Sequence, residues 1–223
     1  MRLQSNSYEH PCPQTQYNKP VLLELLQLAD SALPVGAATH SFGLETLADE
    51  EIITPELLAK FLDTYLAETG VLEAVFLRRA CRGEDLATLN DELDARRSAR
   101  ESREASLKMG KRFADLFKAL TDITLPARLH YPIAFGAAAA ALGISEENAA
   151  QAYLQQSMAS LVSACQRLIP LGQVAANRII WNLRPAILQA VADSERLDCR
   201  CFCPLPELGS MRHSVLETRL FIS

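Results

Sequence analysis

The sequence has few histidines, no excess of basic residues and no long apolar run, and each of these shortages excludes a class of function. Its 223 residues include four histidines and carry a formal net charge of -5 at pH 7. No cluster of lysine and arginine stands apart from acidic residues, so the electrostatic signature of a nucleic-acid-binding protein is missing. The longest apolar run, residues 133–144, is too short for a transmembrane helix, which needs about 20 residues.

The sequence also lacks the short motifs of common catalytic chemistry. It contains no glycine-rich dinucleotide fingerprint, no phosphate-binding loop and no Gly-x-Ser-x-Gly nucleophile elbow. No two histidines have the spacing of a helical metal site. We therefore expect a protein that is not an enzyme and needs no cofactor. Six cysteines without an apolar signal segment in residues 1–20 indicate reduced thiols in the cytoplasm.

Cysteine and histidine leave the question of metal binding open. Cys199, Cys201 and Cys203 alternate along the chain, so an extended loop could bring two thiolates onto one soft metal ion. Structural zinc sites use Cys-x-x-Cys pairs instead, and their absence favours an ordinary reduced loop. For His40 and His213 the alternatives are a metal ligand and a polar contact at a helix end or partner surface, of which we favour the contact.

Helical periodicity dominates what the sequence does contain. Apolar residues recur every three or four positions through most of the chain, and no convincing stretch alternates as a strand would. Thr54-Pro55-Glu56 predicts one helix start, Ser145 predicts another, and Gly70 predicts a bend. Arg97 with Glu101 and Arg100 with Glu104 have the spacing of ion pairs on a helix. We predict an all-α fold with a single compact multi-helix domain over residues 21–193.

The two ends of the chain have a different composition from this domain. Residues 1–20 contain three prolines and little apolar periodicity, which predicts a flexible or loosely attached N-terminal arm. Residues 194–223 contain Pro204, Pro206 and Gly209 together with the clustered cysteines. This composition predicts an irregular C-terminal segment over residues 194–223.

Five segments, taken in order, resemble the urease accessory protein family UreF. The first reads LLQLADSALPVG and continues after two residues as THSFGLE, and the fourth reads LVSACQRLIPLGQ. All five together are residues 25–45, 100–110, 130–143, 161–173 and 210–223. One such segment would be weak evidence, but five in family order are specific.

The resemblance implies an all-helical, dimeric accessory protein that acts in nickel insertion into urease. Members of the family bind the accessory protein UreD, called UreH in some organisms, and the pair recruits the nickel-carrying GTPase UreG to the urease apoenzyme. The implied role is a non-catalytic scaffold without a nucleic-acid or membrane partner. Two alternatives stay open: a direct nickel-binding chaperone that uses the three clustered cysteines, and a GTPase-activating protein that acts on UreG through an inserted arginine.

The resemblance also selects candidate site residues. We expect the turn of residues 34–43 to lie beside the C-terminal tail, and the tail to become ordered against the UreD-like partner. The partner-binding candidates are Pro34, Gly36, His40, Ser41, Gly43, Glu45, His213, Arg219, Leu220 and Phe221. The candidates for a dimer contact or the lining of a polar passage are Arg100, Arg103 and Gln173.

Overall fold

The structure is a computed structural model that describes residues 19–36, 40–196, 199–216 and 219–222. All regular structure in these residues is helical, which confirms the all-α prediction. The predicted N-terminal arm lies outside the described residues up to residue 18. The helices are α1 (Lys19–Leu28), α2 (Leu44–Asp49), α3 (Pro55–Tyr65), α4 (Val71–Cys81), α5 (Leu86–Arg96), α6 (Arg100–Thr121), α7 (Tyr131–Ala141), α8 (Glu146–Leu168), α9 (Gln173–Asn182), α10 (Arg184–Asp193) and α11 (Pro204–Arg212).

Helix α7 lies at the centre of the fold, where it packs most extensively on α4 and then on α6. Small residues allow this close approach, because a Cβ atom on Gly136 would lie 2.3 Å from the carbonyl oxygen of Leu77. Phe135 stacks on Phe113 and meets Tyr153 in a T-shaped arrangement, with ring centroids 5.5 Å apart in both pairs. None of the described helices is long and apolar enough to cross a membrane.

Two arginines are buried in the core with carboxylate partners. Arg78 bonds to Glu146 at 2.8 Å and to the carbonyl oxygen of Val191 at 3.1 Å, so it joins α4 to α8 and α10. Arg97 pairs with Glu73. The predicted pair of Arg97 and Glu101 is therefore wrong. The reason is local: Arg97 has extended dihedral angles in the linker after α5, whereas the predicted spacing applies only within a helix. The predicted pair of Arg100 and Glu104 is confirmed at 2.7 Å.

The helix boundaries follow most of the local signals. The Ser145 side chain accepts a hydrogen bond from the backbone N–H of Asn148, as its predicted capping role requires. Thr54 precedes α3 as predicted, but its hydroxyl donates to the Glu56 carboxylate and does not cap the backbone. The bend predicted at Gly70 is a π-helical turn, Leu66–Gly70, between α3 and α4.

The C-terminal segment is more regular than predicted, since α11 and two 3-10 turns, Ser194–Arg196 and His213–Val215, occupy much of it. Prolines misled the prediction. Pro204 and Pro206 lie in the first turn of α11, where the backbone N–H groups have no partner within the helix, so proline removes no hydrogen bond there. We call residues 199–216 and 219–222 the strap.

Candidate functional site

The strap crosses α2 at a contact between two glycine backbones. Gly43 precedes α2 with a φ of +85°, a value that favours glycine, and a Cβ atom there would lie 2.4 Å from the carbonyl oxygen of Pro206. A Cβ atom on Gly209 would in turn lie 2.6 Å from the carbonyl oxygen of Gly43. The start of α2 and the middle of α11 therefore touch without side chains between them.

Glu45 fastens the last residues of the strap to α2. Its buried carboxylate lies 2.7 Å from the His213 ring and accepts backbone hydrogen bonds from Leu220 at 2.5 Å and from Phe221 at 3.2 Å. Burying a carboxylate is costly unless hydrogen bonds and charge compensate, and here the strap supplies all three contacts. The position of the strap consequently depends on one side chain of α2.

His213 lies fully buried between two carboxylates from different helices. Its Nε2 atom faces Glu45, and its Nδ1 atom lies 3.2 Å from Oε2 of Glu101 at the start of α6. The second contact lacks hydrogen-bond geometry. We call Glu45, Glu101 and His213 the clasp, because together they hold the strap against α2 and α6.

Further polar contacts hold the inner side of the strap. The Ser102 hydroxyl donates to the Ser210 hydroxyl at 2.9 Å, and the backbone N–H of Ala99 donates to Glu207 at 2.6 Å. Arg212 pairs with Glu50 at 2.9 Å on the exposed edge. Sequence reasoning selected none of these residues as site candidates, because their signal is a three-dimensional match between α6, α2 and α11.

The three candidate residues of the tail, Arg219, Leu220 and Phe221, differ in their exposure. Phe221 is buried, with the Arg167 guanidinium carbon 4.1 Å from its ring centroid. Arg219 and Leu220 are exposed. Phe221 therefore packs against its own chain, and the expected ordering of the tail against a partner stays a prediction.

The outer side of the strap carries apolar residues that the fold leaves exposed. Leu205, Leu208 and Met211 follow one another at intervals of three residues on α11 and are 45%, 51% and 47% exposed. Leu220 is 65% exposed beyond them. Contiguous exposed apolar side chains commonly mark protein interaction sites in soluble domains. The strap thus has a polar, fastened inner side and an apolar outer side.

The turn before α2 lies beside a basic part of α6. Gly36 has a φ of +85°, and a Cβ atom there would lie 1.9 Å from Nη1 of Arg112. His40 and Ser41 are buried, whereas Pro34 is exposed. Burial, together with the positive charges of Lys108 and Arg112, lowers the pKa of His40 to about 4, so its ring is neutral at pH 7.

His40 borders a small internal cavity of about 40 Å³ whose other polar walls come from the core helices. Tyr131 donates a hydrogen bond to Gln156 at 3.0 Å, and Tyr153 donates to Glu73 at 3.1 Å, both beside this cavity. A cavity of this size holds water and no larger ligand. Within the described residues it gives no evidence of a catalytic centre.

The remaining candidates lie apart from the clasp. Arg100 is strongly exposed at the start of α6, Arg103 is half-buried on the next turn, and Gln173 is exposed as the first residue of α9. None of the three makes a contact of the clasp described above. Their predicted roles in a dimer or passage remain predictions.

The cysteine alternative gains no support from the geometry. No group of three or more potential metal ligands occurs among the described residues. Burial and the neighbouring Cys203 raise the pKa of the Cys201 thiol to about 11, and burial also raises the pKa of Cys203. A raised pKa disfavours the thiolate that a soft metal ion requires.

Comparison with known proteins reveals similarity over nearly the whole chain. The family model described as UreF matches residues 52–184. A protein of Corynebacterium glutamicum named urease accessory protein UreF is 34% identical over 218 residues, which cover 89% of this chain and 96% of the relative. Proteins of the same name from a Nostoc species and from Haemophilus influenzae are 37% and 30% identical, over 90% and 89% of this chain and 95% and 94% of the relatives.

Proposed function

This chain belongs to the UreF family of urease accessory proteins, and we propose that it acts as a non-catalytic scaffold in urease maturation. In this proposal it binds the accessory protein UreD (UreH) and recruits the nickel-carrying GTPase UreG to the urease apoenzyme. It works in the cytoplasm as a homodimer and needs no cofactor of its own. Nickel is the cargo of the assembly.

The observation that best supports this role is the two-sided strap. Its inner side is fastened by Glu45, His213 and the Gly43–Gly209 contact, while its outer side exposes Leu205, Leu208 and Met211. A side chain at such a position has no structural need to be apolar, since the core does not cover it. A protein partner that covers the outer side would account for it.

Because the strap is already ordered, partner binding costs less conformational entropy in this proposal. A disordered tail would lose conformational entropy when it binds, and this loss would weaken the complex. Here Glu45 and Phe221 hold the strap in place beforehand, so the partner meets a preorganised surface. We therefore assign partner recognition to the outer side of the strap, and the positioning of that surface to the clasp.

The test is a substitution on the outer side that leaves the inner side intact. Leu208→Asp places a charge in the middle of the proposed interface, where desolvation would weaken the complex by about 2 kcal/mol or more, the range of an interface hot spot. We expect loss of UreD capture by the purified variant and little active urease in cells that contain it in place of the wild-type chain. Circular dichroism and thermal unfolding should remain unchanged.

Leu57→Asp is the matched control, because Leu57 on α3 is 50% exposed and Leu208 is 51% exposed. This control should bind UreD and support urease maturation as the wild type does. Normal UreD capture by Leu208→Asp would refute the assignment of the outer side. Full urease activity in cells that lack the chain altogether would refute the proposed function itself.

A further inference from the structure

The start of the strap is fastened to the π-helical turn between α3 and α4, apart from the clasp. The Thr69 hydroxyl forms hydrogen bonds with the sulfur atoms of both Cys201 and Cys203. The Glu68 carboxylate accepts a hydrogen bond from the backbone N–H of Phe202 at 2.7 Å. Two successive residues of the turn thus hold three successive residues of the strap. Turns of this kind are rare and are frequently found at functional sites.

Cys201 and Cys203 lie on one side of the chain, with Phe202 on the other. Residues 199–203 form no helix, and in an extended segment every second side chain points to the same side. Phe202 is 79% exposed, whereas the two sulfur atoms meet at the Thr69 hydroxyl. The strap therefore begins with a pair of neighbouring thiols behind a projecting aromatic ring.

A separation of two residues allows a disulfide between these thiols. Two residues of extended chain span at most about 7 Å between their Cα atoms, and disulfides join Cα atoms that are about 4.4–6.8 Å apart. The chain needs only a slight contraction to close the bond. The ring that results is small and strained, and strained disulfides are readily reduced again. A disulfide at this place is therefore reversible in a reducing environment.

We propose that Cys201 and Cys203 form a reversible, oxidation-sensitive site that reacts with low-molecular-weight disulfides such as oxidised glutathione. The thiolate of Cys201, the more exposed of the two residues, attacks one sulfur of the glutathione disulfide and releases one glutathione thiolate. The Cys203 thiolate then attacks the sulfur of Cys201 and releases the second glutathione. The protein loses two protons and two electrons, and one glutathione disulfide becomes two glutathione thiols.

Closure of this disulfide loosens the start of the strap. The Thr69 hydroxyl has one hydrogen, so it donates to at most one of the two sulfur atoms and accepts from the thiol of the other. A disulfide has no S–H group, so this second hydrogen bond is lost, and the contraction of the chain moves both sulfur atoms. Because α11 begins at Pro204, directly after Cys203, the change reaches the outer side of the strap. This last step rests on the proposed function, in which that side binds UreD.

The raised pKa values of both thiols fit a site that responds only to sustained oxidation. At neutral pH, a pKa of about 11 for Cys201 leaves little thiolate to start the exchange. Disulfides in cytoplasmic proteins are usually transient and serve catalysis or redox sensing. The rate of exchange with oxidised glutathione should rise about tenfold per pH unit between pH 7 and 9, because the thiolate fraction rises by that factor.

The exchange is tested on the full chain without any partner. The reduced protein is incubated with oxidised glutathione, free thiols are blocked with N-ethylmaleimide, and the chain is digested with trypsin. Trypsin cleaves after Arg200 and Arg212, so Cys201 and Cys203 fall in one peptide that holds no other cysteine. We expect this peptide to be unlabelled and lighter by two hydrogen atoms, and to take up two labels after treatment with dithiothreitol. Cys199→Ser should behave as the wild type, whereas Cys203→Ser should stop at the mixed disulfide of Cys201 with glutathione.

UreD capture measures the consequence for the strap. The oxidised chain should bind UreD about 3- to 10-fold more weakly than the reduced chain, as the loss of one or two hydrogen bonds predicts, and dithiothreitol should restore binding. Thr69→Val removes the same hydroxyl and should weaken capture without any oxidant.

The double variant Cys201→Ser, Cys203→Ser is the matched control, because serine hydroxyls can form the hydrogen bonds with Thr69 but no disulfide. Its UreD capture should be the same with and without oxidised glutathione. The inference is overturned if the peptide still takes up two labels after equilibration with oxidised glutathione, if the disulfide joins Cys199 instead, or if the oxidised and reduced chains capture UreD equally. A reduced wild-type chain that fails to capture UreD would refute the proposed function instead, and the peptide measurement would still decide the exchange.

Discussion

At the scale of single residues, the arrangement depends on glycines that permit contact and on one carboxylate that fastens it. Gly43 and Gly209 bring two backbones together, and Glu45 then binds groups that are 168 or more positions away in sequence. Hydrogen bonds to a charged group are stronger than those between neutral groups. The strap therefore needs few contacts to remain in place, which leaves its outer side available for binding.

Gly209→Ala should displace the strap, because the new methyl group would lie 2.6 Å from the carbonyl oxygen of Gly43, a backbone atom that cannot rotate away. We expect the free energy of unfolding to fall by about 1–3 kcal/mol, as in other overpacked sites, together with faster proteolysis of the strap. Chemical denaturation and limited trypsin digestion measure the two effects. Gly172→Ala is the control, since Gly172 has a φ of -70° and open space around it. Equal stability of the two variants would contradict the close contact.

At the scale of helices, the sequence carries its information in local signals. Pro55 and Ser145 lie at helix starts as predicted, because each acts on the backbone of its own first turn. Helix α11 was not predicted, because Pro204 and Pro206 were interpreted as helix breakers. They lie in the first turn of the helix, where proline is tolerated. The partners of Arg97 and Glu45 could not be predicted, since periodicity gives the buried side of a helix but not which helix it meets.

Two hydroxyls at helix starts give a prediction at this scale. Ser145 caps α8 through the N–H of Asn148, so Ser145→Ala should lower the free energy of unfolding by about 1 kcal/mol. Thr54 occupies the same position before α3, but its hydroxyl bonds to the exposed Glu56 carboxylate instead. Thr54→Ala should therefore cost only a few tenths of a kcal/mol, about as much as other surface substitutions. Urea denaturation of both variants would decide, and a larger loss for Thr54→Ala would contradict the assignment of the caps.

At the scale of the whole molecule, apolar side chains are exposed on the strap and, separately, on helices α9 and α10. The strap is held through buried polar contacts of Glu45 with His213, Leu220 and Phe221, whereas the exposed Val174, Trp181 and Leu188 lie on α9 and α10, which pack on α8. The resemblance to UreF led sequence reasoning to the turn and tail, but nothing local distinguishes an exposed apolar residue such as Trp181 from a core residue. Only the packed structure shows which apolar side chains remain uncovered.

Buried neutral histidines give the whole fold a dependence on pH. Burial and the nearby charges of Arg97, Arg103 and Arg128 lower the pKa of His130 to about 3, and the pKa of His40 is lowered to about 4. An unfolded histidine has a pKa near 6.5, so between pH 6.5 and these values the unfolded chain binds more protons. The stabilisation is therefore complete above about pH 6.5 and is lost as the pH falls.

The slope of stability against pH provides the test at this scale. From pH 6.5 toward pH 5, each of the two histidines should lower the free energy of unfolding by up to about 1.4 kcal/mol per pH unit. His130→Asn removes one titrating ring, so its slope should be shallower by about that amount even if the variant is less stable at every pH. Asp94, whose Oδ1 lies 3.3 Å from the His130 ring, opposes the effect but does not reverse it in this window, because the folded pKa stays low. Parallel slopes for the variant and the wild type, measured by urea denaturation, would show that His130 is not held neutral by its surroundings.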